Sequence, residues 1–283
     1  MTGNPLRAAL WMWLAVLAFA LMAISVRELL RHMGVFQILF LRTLVTMLLV
    51  LAILPRSGTA TLRTRLLRFH VTRALMHLGG QYCWIYAIGA LTLATVAAIE
   101  FTMPVWVAVL ATLLLGERMN QGRAVMLVLG LAGILIILRP DVGGLHPAAL
   151  AMLLGSVLYA GNMVLTKRIA ATDSPVAVLF WMSLSQLPIT LATAAPHWVT
   201  PQPIDLLWAV GVGGGSFVAH YSMTRAMKLA DATLVVPFDF LRLPLIAFLG
   251  ALFYGEPLDL ATFVGAAVIF AGTYYSLARE TRR

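Results

Sequence analysis

Residues 8–20 read AALWMWLAVLAFA, and residues 148–160 read AALAMLLGSVLYA. The two stretches align without a gap: Ala8, Ala9, Leu10, Met12, Leu14 and Ala20 match their partners, and Phe19 meets Tyr159. Further along at the same offset of 140, Phe40 meets Phe180 and Leu44 meets Leu184. At an offset of 135, Gly79-Gly80-Gln81-Tyr82 meets Gly214-Gly215-Ser216-Phe217, and Tyr86 meets Tyr221. At 139, Glu100 meets Asp239, Gly116-Glu117 meets Gly255-Glu256, and Gly133 meets Gly272. Any single apolar match is weak, but the ordered series divides the chain into two repeats, 1–140 and 141–283.

Composition says where these repeats reside. Of 283 residues, 61% are hydrophobic and 11% charged, and the mean hydropathy is +0.92. A soluble domain averages about 25% charged residues, so this chain reads as an all-α polytopic membrane protein. Apolar runs fall at 8–26, 35–54, 69–89, 92–115 and 122–138, then at 147–166, 175–195, 204–224, 232–253 and 258–277. Membrane β-strands are about ten residues long and alternate in polarity; these runs are twice that length and apolar all round, so they are helices. Ten spans of about 20 residues use roughly 200 of the chain. No soluble catalytic or nucleic-acid-binding domain fits in the remainder, and the net charge of +9 is not a nucleic-acid footprint. The lone cysteine, Cys83, excludes an internal disulfide.

Lys and Arg in short loops set orientation. Fifteen of the twenty, from Arg7 through the basic segment Arg56–Arg73 to Arg283, fall on one side, and three (Arg27, Arg31, Arg139) on the other. Both termini are therefore expected in the cytoplasm, with the chain in the inner (plasma) membrane. An amphipathic surface helix is expected at 62–70, where leucines face basic residues. Five spans per repeat is an odd number, so the second repeat is expected to enter the membrane inverted. That plan places a substrate site near the midplane between two halves that rock to expose it alternately.

Charge inside a bilayer costs several kcal/mol and needs a partner or a purpose. Arg42, Glu100, Asp239 and Arg242 lie inside spans. Asp239 and Arg242 share a helix face, and Arg42 and Glu100 lie at equal depth, which allows an ion pair. The four either join the halves or bind charge on a substrate or a coupling proton. His77, Gln81, Tyr82 and Tyr86 on the third run, Tyr159 and Asn162 on the sixth, and Ser216 and His220 on the eighth together suit a zwitterion or a ring. Pro104, Pro188, Pro237 and Pro244 are expected to kink their helices. The run GVGGGS at Gly211–Ser216 lacks the strand–turn–helix setting of a nucleotide loop. The absence of a P-loop, HExxH, GxSxG or Cys–His cluster argues against ATP drive, a bound metal or a cofactor.

The stretches Pro104-VWVAVLATLLLGER and Pro244-LIAFLGALFYGEP, each followed by a glycine-containing final helix, resemble the drug/metabolite transporter superfamily, in particular its ten-helix EamA-type members. Arg42 in FLRTLV is similar to the arginine of that family's second helix, though Met182 stands at the matching place in the second half. The resemblance implies export or exchange of small metabolites, with amino acids, aromatic or neutral, as the favoured substrates. The chain is expected to act as a monomer or homodimer in the lipid bilayer. A membrane-embedded enzyme acting on lipid-like substrates is the alternative; its polar groups would converge at one membrane face rather than spread over both halves.

Overall fold

The computed structural model describes residues 5–115, 120–139, 146–169, 172–229 and 238–280. Among them the chain is helical throughout, joined by short turns. The first half holds α1 (Pro5–Leu29), α2 (Val35–Ser57), α3 (Leu67–Ala90), α4 (Leu93–Glu100), α5 (Met103–Leu115) and α6 (Gln121–Leu138). The second half holds α7 (Pro147–Ile169), α8 (Pro175–Ala194), α9 (Pro203–Leu229), α10 (Arg242–Tyr254) and α11 (Leu260–Glu280). Gly116-Glu117, Arg118, Gly144, Pro237 and Arg282-Arg283 lie outside the described residues, as does the side chain of Lys167.

Local chemistry marks the helix ends. α7, α8 and α9 each begin on proline, whose missing N–H costs nothing in a first turn. Thr92, Asn120 and Ser174 cap α4, α6 and α8 by accepting a backbone N–H with their side chains. Seven described runs are long and apolar enough to cross a membrane, with α4 and α5 counted as one. α3 and α9, at 24 and 27 residues, have the length but not the apolarity. These two helices carry His77, Gln81, Tyr82, Tyr86, Ser216 and His220, while Tyr159 and Asn162 lie on α7.

Two expectations are corrected. The run 92–115 is not one continuous helix: it breaks at Phe101-Thr102, and a matching break stands at Phe240-Leu241 before α10. Pro104 and Pro244, expected to kink their helices, stand just after the two breaks and have no N–H to bond the Glu100 and Phe240 carbonyls. At the first, the Phe101 N–H bonds to the Ala97 and Ile99 carbonyls and the Thr102 hydroxyl returns to Ile99 O at 2.7 Å. The segment 62–70 is not a helix of its own. A short 3-10 turn ends at Leu62, and the chain runs irregularly to Leu67, where α3 starts. The Leu66 N–H bonds to the Thr64 hydroxyl at 2.9 Å there instead of to a helical carbonyl. Arg73, counted with that basic loop, lies inside α3; it is buried and donates to the Thr166 hydroxyl at 2.5 Å.

Packing follows a definite pairing. α1 lies along α9, α3 along α7, α2 along α8, α6 along α11, and α4 along α10. Small residues allow the close approaches. A methyl group on Gly133 would lie 2.6 Å from the Gly265 carbonyl oxygen, and one on Gly80 would lie 2.8 Å from the Tyr159 ring. Such approach drives helix association where lipid removes the hydrophobic drive. The outer surface is rich in exposed large apolar side chains, Leu113, Leu252 and Leu260 among them; in water it would be an aggregation surface, and it fits a bilayer. The central core draws on α1 to α4, α7, α9 and α10.

Candidate functional site

The breaks in the two fourth spans bring their flanking residues together. Phe101 and Phe240, which match at the offset of 139, stack with ring centroids 4.3 Å apart. Beside them stands Arg242, whose guanidinium lies over the Phe19 ring at 4.7 Å and the Phe101 ring at 5.0 Å. Arg242 is bound by two acids at once: Glu100 at 3.1 Å and Asp239 at 3.5 Å. The acids are themselves matched across the repeats, so a single arginine is shared between the halves. Trp84 Nε1 donates to the second Glu100 oxygen at 3.1 Å, completing that carboxylate's surroundings.

Arg42 is arranged differently. The equal depth of Arg42 and Glu100 allowed an ion pair, but packing α4 against α10 commits Glu100 to Arg242. Arg42 is 1% exposed and donates to the Ser216 hydroxyl at 3.2 Å. Its Nε has no partner, and no carboxylate pairs with it among the described residues. His77 and Tyr159 lie within electrostatic reach of it. A buried guanidinium held by one neutral hydroxyl is expensive, and it presents free donor capacity.

The polar candidates divide into three groups. His77 and Gln81 are buried on α3. His77 Nδ1 meets Gln186 Nε2 at 3.2 Å, and the His77 ring lies 5.9 Å from that of Tyr159. Gln81 Oε1 and Asn162 Oδ1 are buried acceptors without partners. On the opposite flank, Ser216 is buried beneath Arg42, and His220, more exposed, sits 5.7 Å from the Phe19 ring with its Nδ1 2.8 Å from Ser216 O. Tyr82 and Tyr86 stand apart. They form a half-exposed ladder with Phe36, at 5.1 and 6.5 Å between rings. Sequence reasoning missed Gln186, a polar residue in an apolar run, and the Phe101–Phe240 pair, which the offset of 139 already linked through their neighbours Glu100 and Asp239.

Both ends of the bundle carry histidine–aspartate pairs. His70 meets Asp173 at 2.7 Å, and His32 meets Asp205 at 3.0 Å. Burial pushes the Asp173 carboxyl up, but hydrogen bonds from Thr64, His70 and Thr172 together outweigh it and hold the group below its ordinary value. The charges of the central group balance: Arg42 and Arg242 against Glu100 and Asp239.

Comparison with known proteins gives the family and the fold. The pattern of the EamA-like transporter family matches the chain twice, over residues 6–139 and 146–278. The riboflavin transporter of Rhizobium johnstonii is 31% identical, covering 99% of this chain and 95% of that protein. The S-adenosylmethionine uptake transporter of Rickettsia prowazekii is 24% identical, over 96% and 92%. A crystal structure at 20% identity superposes with a TM-score of 0.68, covering 97% of this chain and 98% of that one, and so shares the fold. Matched in both halves, the chain belongs to the EamA-like transporter family, multi-pass membrane proteins that carry small molecules.

Proposed function

We propose that the chain is a secondary transporter that takes up riboflavin, or a flavin closely like it, across the plasma membrane. The observation that carries this reading is the 31% identity to a riboflavin transporter along essentially the whole chain. The central group supports it. A flavin is a planar, uncharged, hydrogen-bonding ring system, and here aromatic faces on Phe19, Phe101 and Phe240 flank a charge-balanced set of donors and acceptors. Arg42 supplies unspent donor capacity for a ring carbonyl, while Gln81 and Asn162 supply acceptors.

Movement follows alternating access between two inverted five-span halves, 1–140 and 141–283, with both termini cytoplasmic. Three observations support this plan. The family pattern occurs once per half. The helix pairing is kept when the halves are exchanged: α1 with α9 mirrors α7 with α3, and the α2–α8 and α6–α11 pairs map onto themselves. The breaks at Phe101 and Phe240 fall at matched positions and meet face to face.

Amino-acid export, the use favoured by sequence alone, is the rival: Arg42 would hold a substrate carboxylate. Uptake by cells that require external riboflavin decides between them. Cells expressing the chain should accumulate labelled riboflavin, with unlabelled riboflavin competing and phenylalanine or leucine not competing. Accumulation no greater than in control cells, with efflux of an amino acid instead, would overturn the flavin reading.

A further inference from the structure

α4 is eight residues long, and six of them are buried. It runs antiparallel to α10 and is fastened to it at both ends. At its C-terminal end, Glu100 binds Arg242, the first residue of α10, at 3.1 Å. At its N-terminal end, the Leu93 N–H donates at 2.8 Å to Glu256, two residues past the end of α10. Glu256 also pairs with Arg27 of α1, and Arg27 in turn donates to the Ile88 and Leu91 carbonyls at the C-terminal end of α3. The cation thus sits on a helix C-terminus and the anion on a helix N-terminus, each where the helix dipole favours it. This knot ties α1, α3, α4 and α10, and so both halves, through one guanidinium and one carboxylate. A cleft of about 470 Å³ opens above it, lined by Arg27, Arg31, Thr92, Tyr254 and Glu256 among others.

We propose that the Arg27–Glu256 knot is the closing latch of the transport path at that face, and that α4 and α10 act as a strut relaying the state of the central site to it. The proposal rests on the transport reading above and adds two positioning residues, Arg27 and Glu256, outside the substrate group. Eight residues of helix span about 12 Å, so the Glu100–Arg242 contact and the latch are the two ends of one short rigid piece. A ligand that draws Arg242 away from Glu100 frees one end of α4; the buried, apolar helix then shifts as a body, and its N-terminus leaves Glu256. With the N–H gone, Glu256 and Arg27 lose their shared anchor, the α3–α4 turn, and the cleft opens inward.

The test reads the latch without needing flux. Ala87 is fully buried on α3, one turn below the Leu91 carbonyl. In a Cys83→Ala background, Ala87→Cys is labelled in membrane vesicles by an impermeant maleimide applied to the face that carries Arg27. Glu256→Gln, which keeps an acceptor for Leu93 but loses the charge facing Arg27, should raise the labelling rate about tenfold, equivalent to ~1.4 kcal/mol of latch. Glu100→Gln, at the far end of the strut, should raise it as well. A bridging reagent across Arg27→Cys and Glu256→Cys should abolish labelling of a third cysteine at position 87 and stop riboflavin flux reversibly. Unchanged labelling in Glu256→Gln, or full flux in the bridged protein, would overturn the latch. If Glu256→Gln opens the face but Glu100→Gln does not, the relay is wrong. Labelling that behaves as expected in a protein without riboflavin flux would leave the latch standing and remove only the substrate.

Discussion

Arg42 and Arg242 show how differently two buried arginines in one protein are employed. Arg242 is neutralised twice over and has two aromatic faces beside it; Arg42 has one neutral hydroxyl and no carboxylate among the described residues, though the Nε of each arginine is without a partner. Removing a buried charge that lacks a charged partner does not strand another ion. Arg42→Gln should therefore cut riboflavin flux by more than tenfold while the thermal midpoint of the purified protein stays level or rises. A lowered midpoint with normal flux would make Arg42 a packing residue. Asp173 gives a second residue-scale expectation. Its folded-state carboxyl lies below the usual value of 3.8, so its stabilisation is full above that pH and is lost as the pH falls through the lower folded value. Asp173→Asn should lower the thermal midpoint at pH 7, and the difference from the parent should narrow below pH 3.8; a constant gap would show that the carboxylate's charge is not what matters.

Among the helices, small residues decide which faces touch. Gly79-Gly80 and Gly214-Gly215 are matched in sequence, yet only one member of the second pair has room. Gly80 faces the Tyr159 ring at 2.8 Å for an added methyl, whereas Gly214 has nothing within 4 Å. Gly80→Val should cost about 1–3 kcal/mol by overpacking the α3–α7 contact, and Gly214→Ala should be neutral or stabilise by up to ~1 kcal/mol as a helix-favouring change. Urea or thermal unfolding of the two variants checks this; equal effects would mean the α3–α7 contact is looser than described. Elements were legible in the sequence to the extent that they obey local rules. Apolar runs bounded by charge and proline gave the long helices. The break at Phe101-Thr102 was legible in part: Pro104 marked a kink, having no N–H for the Glu100 carbonyl. Its depth was not, because the turn is also held by backbone bonds and by Ser156, which donates to Ile99 O at 3.2 Å from α7. The helix expected at 62–70 failed for the converse reason: its pattern was amphipathic, but Thr64 offered the backbone a competing bond.

At the scale of the whole molecule, the repeat carries most of what could be read in advance. Offsets of 135 to 140 located the matched acids Glu100 and Asp239 and, through their neighbours, the stacked Phe101 and Phe240. Sequence alone could not say which acid would meet which arginine, since Glu100 and Arg242 are 142 residues apart and only the packing of α4 on α10 joins them. The substrate was least legible of all: an arginine, amides and aromatic rings suit a zwitterion and a flavin alike, and the preference for a flavin came from overall similarity to a riboflavin transporter. Orientation is open to direct measurement. Single cysteines at Gly34 and Asp259, in a Cys83→Ala background, should react with an impermeant reagent from outside, and those at Gly58 and Asn120 should not; the reverse pattern would invert the topology. The most direct test of a carrier that alternates between two faces is counterflow in proteoliposomes of the purified protein. Vesicles preloaded with unlabelled riboflavin should transiently concentrate labelled riboflavin from a trace outside, with no ion gradient or ATP, and Arg42→Gln vesicles should not. Uptake equal to that of protein-free vesicles would contradict transport of a flavin by this chain.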